Sequence, residues 1–176
     1  MTDGFLGLVN VEGDISTRDT LIDQFNLISW ASKSIIDVFS KEESFVSNSS
    51  TTRVFHNKLR VPEGAANSTG YQYITNNLTL VGGSNISKIC FVADFDPIPT
   101  GAKLTIEMSC NNGTTYKEIF EQVGGTSASP NLLDQEVTSG FGAGGTMLIR
   151  ITLTTNSAGG GPTLNHYAIF TDPEPT

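Results

Sequence analysis

Three features of the sequence predict a mainly β fold: an antiparallel β-sandwich of jelly-roll-like topology, preceded by an N-terminal arm and one α-helix. About seven segments rich in β-branched and aromatic residues lie between residues 53 and 171. Gly, Pro and Asn turns separate them, and no helical segment falls between any two, which argues against a doubly wound α/β sheet. Ahead of them, residues 17–43 carry apolar positions at helical spacing. A length of 176 residues sets one domain, or one domain with an arm, as the expectation. The division that follows is an arm and helix over 1–43, a linker over 44–52 and the sandwich over 53–176.

Residues 1–16 hold three glycines and no clear periodicity, and read as an extended arm. Phe5, Leu6, Leu8 and Val9 are too apolar for a free terminus, so the arm docks, on its own domain or on a neighbouring subunit. Ser16 or Thr17 is the N-cap of the predicted helix, and Asp19 puts a negative charge in its first turn. Leu21, Phe25, Ile28, Ser32, Ile35 and Phe39 step by four and three, an a/d seam of fewer than three heptads. Such a stripe either covers a core or joins a parallel bundle. Ile and Phe at seam positions favour three chains over two. Leu21, Phe25, Ile28, Ile35 and Phe39 are therefore the expected oligomerisation residues of a homotrimer, with Trp30 packed between helix and sheet.

From 44 to 52 the chain is Ser- and Asn-rich, and strands follow. Residues 53–61 end at the breaker Pro62-Glu63-Gly64, and 71–81 are rich in β-formers. Residues 87–95 are a nearly continuous apolar run, as in a central strand. Residues 103–110 alternate, with Leu104, Ile106 and Met108 inward. Asn111-Asn112-Gly113 is a hairpin turn signal leading into 116–120. Residues 147–155 alternate again, and the last strand, 164–170, closes before Pro173 and Pro175. Folding 86–95 against 103–110 about Pro99 sets Cys90 within a diagonal step of Cys110. Two buried free thiols are the favoured state there, with a disulfide as the alternative. The same hairpin brings Asp94 and Asp96 towards Glu107.

Charged residues are 16% of the chain, against roughly 25% in an average soluble protein. The 18 acidic and 10 basic residues leave a net charge of -8, which argues against nucleic acid and an anionic membrane surface as partners. No run reaches the ~20 apolar residues of a membrane span. Met1-Thr2-Asp3-Gly4 lacks a basic region ahead of an apolar one, so no signal peptide is expected. The five glycosylation-type sequons, at Asn48, Asn67, Asn77, Asn85 and Asn112, then reflect the abundance of Asn, Ser and Thr.

No catalytic set, metal site or cofactor is expected. His56 and His166 lie inside strands, where a histidine held by a local hydrogen bond is the common case. There is no Gly-x-Ser-x-Gly elbow, no metal-ligand spacing and no Cys-x-x-Cys. Calcium on Asp94 and Asp96 is the weaker reading beside Asp96 opening a turn. Gly140 to Gly145 precede a strand without a following Lys-Ser or Lys-Thr, so they do not form a phosphate cradle. This stretch and residues 157–162 read as flexible loops at an end of the sandwich, where binding sites are placed. Asn112, Tyr116 and Phe141 are the candidate ligand-binding loop residues.

The stretch 89–120 carries a resemblance. It runs Cys90-Phe91-Val92-Ala93-Asp94-Phe95, then Pro99-Thr100-Gly101-Ala102-Lys103-Leu104-Thr105-Ile106, then Met108-Ser109-Cys110-Asn111-Asn112-Gly113-Thr114-Thr115-Tyr116. This resembles small β-sandwich modules of bacteriophage tail and baseplate proteins. In those modules a Pro-x-Gly turn and a strand lead into a Ser-x-Asn/Asp-Gly-Gly-Thr-Thr-Trp turn. Here Asn112-Gly113 replaces two glycines, and Tyr116 stands where Trp is commonest. The match covers about 30 of 176 residues. The resemblance implies a non-enzymatic phage virion structural protein, a fibre-like or capsid-decoration component assembled in the host cytoplasm. Its arm (Phe5, Leu6, Leu8, Val9) would attach to other virion proteins. A carbohydrate- or receptor-binding module contacting a host-surface glycan is the alternative.

Overall fold

The computed structural model describes residues 9–12, 33–37, 39, 45–48, 53–54, 57–75, 78–79, 86–125, 132–136 and 146–173. Among these the regular elements are all strands: β1 (Val9–Glu12), β2 (Lys33–Asp37), β3 (Phe45–Asn48), β4 (Arg53–Val54), β5 (Leu59–Arg60), β6 (Gly70–Thr75), β7 (Leu78–Thr79), β8 (Ile86–Phe95), β9 (Lys103–Ser109), β10 (Lys117–Val123), β11 (Leu132–Glu136), β12 (Thr146–Thr154) and β13 (Thr163–Pro173). They form two sheets. The first runs β1-β2-β13-β5-β4, with β8 on the other edge of β13 and β11 beyond it. The second runs β10-β9-β12-β6-β3, with β7 also on β12. Pairing is antiparallel throughout except for β1 on β2.

Alternation in the sequence becomes two-sidedness here, because successive side chains in a strand face opposite ways. Leu104, Ile106 and Met108 of β9 face inward beside Met147, Ile149, Ile151 and Leu153 of β12, all fully buried. Tyr71 and Tyr73 of β6 and Phe120 of β10 complete that side. Phe91 and Ala93 of β8, and Leu164, Tyr167 and Ile169 of β13, belong to the same buried cluster. One core therefore draws on both sheets. Phe120 ties them directly, with ring centroids 5.3 Å from Phe91 and 5.7 Å from Phe95.

The helix expected over 17–43 does not extend through its second half. Residues 33–37 are β2, with Ile35 opposite Ile169 and Ile36 opposite Ala168 of β13. Phe39 has φ +51, in the left-handed region that no α-helix admits. Its side chain is 1% exposed, 5.8 Å from the Tyr73 ring and 5.9 Å from Tyr167. Spacing within Ser34-Ile35-Ile36-Asp37-Val38-Phe39 fits a seam, but the β-branched run also suits a strand. Pairing along β13 decides between them. The remaining seam residues, Leu21, Phe25 and Ile28, lie outside the described residues, as do Trp30 and the arm residues Phe5, Leu6 and Leu8. Val9 opens β1, whose backbone runs beside β2.

The expected 86–95/103–110 hairpin is also corrected. β8 pairs with β11 and β13, whereas β9 pairs with β10 and β12, so residues 96–102 carry the chain from one sheet to the other. A hairpin closes best with a two-residue loop. This connection contains Pro97 and Pro99, which have no N–H to give a ladder. It ends in a tight turn in which the Ala102 N–H donates to the Pro99 carbonyl at 2.9 Å, with Gly101 at φ +80. Cys110 is accordingly a free, buried thiol, and burial pushes its pKa up to about 11. The strand expected over 53–61 splits as well. Asn57 turns at φ +58, and β4 folds back on β5 with Val54 opposite Leu59.

Residues 157–162, expected to be a flexible loop, are tied down by Asn156. Its Oδ1 accepts the N–H groups of Ala158 and Gly160, both at 2.9 Å, and its Nδ2 donates to the Thr100 carbonyl at 3.0 Å. The Thr155 hydroxyl donates to the Ala66 carbonyl at 2.6 Å and accepts the Thr69 N–H at 3.1 Å. This end of the molecule is a hydrogen-bonded knot of backbone and short polar side chains.

Candidate functional site

At the opposite end, the loop between β9 and β10 is organised by two small side chains. Asn112 and Gly113 have φ +56 and +79, the pair of left-handed residues that a type I′ turn demands, here set within the longer Cys110–Tyr116 connection. The Thr114 N–H closes the turn on the Asn111 carbonyl at 3.2 Å. Ser109, fully buried, donates its hydroxyl to Asn111 Oδ1 at 2.8 Å and accepts the Gly113 N–H at 3.0 Å. Asn111 Oδ1 also accepts the Thr115 N–H at 2.9 Å. Short Ser, Asn and Thr side chains substitute here for the ladder that the backbone leaves, which is what these residues do well.

The loop delivers Tyr116 onto the outward face of the second sheet. There Arg150 of β12 stands opposite Glu107 of β9 in register. The two form a two-pronged ion pair, Arg150 Nε to Glu107 Oε2 at 2.6 Å and Nη2 to Oε1 at 2.7 Å. The Arg150 guanidinium also lies 3.9 Å from the Tyr116 ring centroid. Both ionic side chains are half-buried, and the pair is charge-assisted and geometrically fixed. Donating these hydrogen bonds to Glu107 raises the Arg150 pKa further. Desolvation raises that of Tyr116, with Arg150 opposing it. Beside this row, Lys103 meets Glu121 at 3.1 Å. Partial desolvation and the neighbouring Glu121 raise the pKa of Glu118.

Removing Arg150 would leave Glu107 as a partly buried carboxylate without its partner. Arg150→Ala is expected to cost about 2 kcal/mol. Arg150→Lys would recover part of that, since it keeps the charge and loses the fork. Equilibrium denaturation of the variants checks both.

Of the expected ligand-binding residues, Asn112 and Tyr116 fall on this one loop, and Phe141 lies outside the described residues. Glu107 and Arg150 were not foreseen as a pair. Their signal was present as two opposite charges at outward positions of two cleanly alternating strands. Asp94 and Asp96, expected to approach Glu107, are instead on the first sheet. Asn165 Nδ2 donates to both of their carboxylates, at 3.0 and 3.1 Å, and Lys58 Nζ bonds Asp96 at 3.1 Å. Among the described residues no group of three His, Cys, Asp or Glu is arranged to hold a metal. No helix among them is long and apolar enough to cross a membrane.

His166 Nδ1 lies 3.9 Å from Asp94 Oδ2. Burial nonetheless depresses its pKa below the ordinary 6.5, with Asp94 only partly countering. As pH falls through about 6.5, the unfolded chain takes up this proton before the folded one, so stability falls. His166→Gln is expected to flatten the pH dependence of the melting temperature just below that value. Thermal melts of the two proteins across that range check it.

No family model matches the chain, and no curated protein is significantly similar to it.

Proposed function

We propose that the chain is a non-enzymatic structural protein of a bacteriophage particle, a fibre-like or capsid-decoration component built as a jelly-roll-like β-sandwich. One observation carries this reading. The stretch that resembles phage tail and baseplate modules, residues 89–120, crosses from the first sheet to the second and ends in an ordered, hydrogen-bonded loop. It comprises most of β8, the Pro99-Thr100-Gly101 turn into the second sheet, β9, and the loop closed by Ser109 and Asn111. The pattern of Ser, Asn, Gly, Thr and an aromatic therefore has a mechanical role in holding Tyr116 against Arg150. The low charge content suits a protein that spends its surface on packing against neighbours. Peptide mass mapping of particles purified from lysates of cells that make this chain tests the proposal directly. Its peptides should co-purify in fixed proportion to the other particle proteins, and their absence overturns the reading. Light scattering tests the homotrimer, with a mass three times 18.8 kDa expected.

A second reading, recognition of a host-surface glycan, is favoured by the Tyr116 ring. A ring fixed by a cation on a rigid loop, beside an exposed Asn112, is suited to stack on a sugar and to offer it hydrogen bonds. Glycan-array binding that is lost in Tyr116→Ala is its expected result. An array without signal sets this reading aside and leaves the particle reading standing.

A further inference from the structure

We propose that the Asn112–Gly113 peptide is the chain's site of spontaneous deamidation, and that the Ser109 hydroxyl sets its rate. Asn followed by Gly occurs once in the sequence, at this turn. Asn is chemically labile, and a following glycine has no side chain to hinder attack by its nitrogen. Asn112 is exposed, so water reaches it.

The chemistry needs two steps. The Gly113 nitrogen bonds to Asn112 Cγ while the Cγ–Nδ2 bond breaks, and the nitrogen's proton leaves with Nδ2 as ammonia, giving a cyclic imide. Water then adds to one of the two ring carbonyls and that carbonyl's C–N bond breaks. One direction yields aspartate, and the other yields isoaspartate, with an extra carbon in the main chain.

The fold opposes the first step at its nucleophile. The Gly113 N–H is engaged by Ser109 Oγ at 3.0 Å, and Ser109 itself is fully buried and bonded to Asn111 at 2.8 Å. Attack also requires Asn112 to rotate about its Cα–C and Cα–Cβ bonds until Cγ meets that nitrogen, against a turn closed by the Thr114 N–H on the Asn111 carbonyl at 3.2 Å. Both restraints go when the turn opens. A Cβ on Gly113 would lie 3.1 Å from the Tyr116 hydroxyl and 3.2 Å from Leu148, so the conversion falls beside the hydroxyl end of the Tyr116 ring. Either product adds a carboxylate there, and isoaspartate also breaks the turn's hydrogen-bond register.

The test incubates the full chain in mildly alkaline buffer, native and in denaturant, and follows Asp and isoAsp formation by peptide mapping. Conversion should occur first at Asn112, and more slowly in the native protein than in the denatured one. Ser109→Ala should speed the native rate by roughly fivefold, the worth of one hydrogen bond. Equal rates in native and denatured wild-type chain would overturn the proposal, as would first conversion at another asparagine. The wild-type comparison stands on its own if the Ser109 variant does not fold.

Discussion

Phe39→Ala is expected to destabilise the folded chain by about 3–5 kcal/mol, the usual loss for a large aromatic side chain deleted from a packed interior. The ring is 1% exposed and lies between Tyr73 of the second sheet and Tyr167 of the first. Its removal opens a void between the sheets that stiff neighbouring aromatics cannot fill. The backbone at this position is also unusual for a phenylalanine, at φ +51. Phe39→Gly relieves that conformational cost, so glycine should be no worse than alanine here despite being smaller. Denaturant titration of the two variants measures both effects. A subunit-seam role for Phe39 makes the opposite prediction, with solution mass falling and monomer stability holding. Light scattering on the same samples separates the two.

Gly124→Ala is expected to cost about 3 kcal/mol or more, for a different reason. Gly124 immediately follows β10 and donates its N–H to the Ala102 carbonyl at 2.8 Å. A Cβ there would sit 2.6 Å from the Pro99 carbonyl carbon and 2.7 Å from the Ile98 oxygen. These are backbone atoms of the connection between the sheets, so they cannot move aside as a side-chain tip would. The strand end or the crossover must shift, and such overpacking is among the mechanisms behind large single-residue losses. Gly64→Ala is the matched control. Nothing lies within 4 Å of its added Cβ, and only its φ of +73 opposes the change. That loss should be about 1 kcal/mol. Parallel denaturation curves distinguish a steric cost from a conformational one.

Much of the candidate site was legible in the sequence, and particular residues show why. Asn111-Asn112-Gly113 announces its turn through residue types that tolerate positive φ, and both left-handed residues are where that signal puts them. The strands around it follow from alternation, with Leu104, Ile106 and Met108 inward and Glu107 outward. The contact of Glu107 with Arg150, 43 residues away, was not legible. Each charge shows its own face of its own strand, and neither names its partner. Only the register of β9 on β12 does that.

Residues 33–39 show the other limit. A spacing of four and three over a short run of Ile, Val and Phe satisfies a helix stripe, while the same residues favour a strand once a partner edge is present. β13 supplies that edge for β2 and buries Phe39 beneath it. In the same way, two alternating strands joined through Pro99 suggest a hairpin, yet β8 and β9 belong to different sheets.

By itself the sequence determined the β character of most described strands from residue 53 onward, the turns at Pro99–Gly101 and Asn112–Gly113, and the inward face of β9. These are local properties, written in side-chain periodicity and in which residues accept positive φ. The tertiary structure decided which sheet each strand joins, that residues 33–37 are a strand, and that Tyr116, Arg150 and Glu107 meet. Those outcomes depend on burying apolar faces from distant parts of the chain together. No short window of sequence carries the energy of that burial.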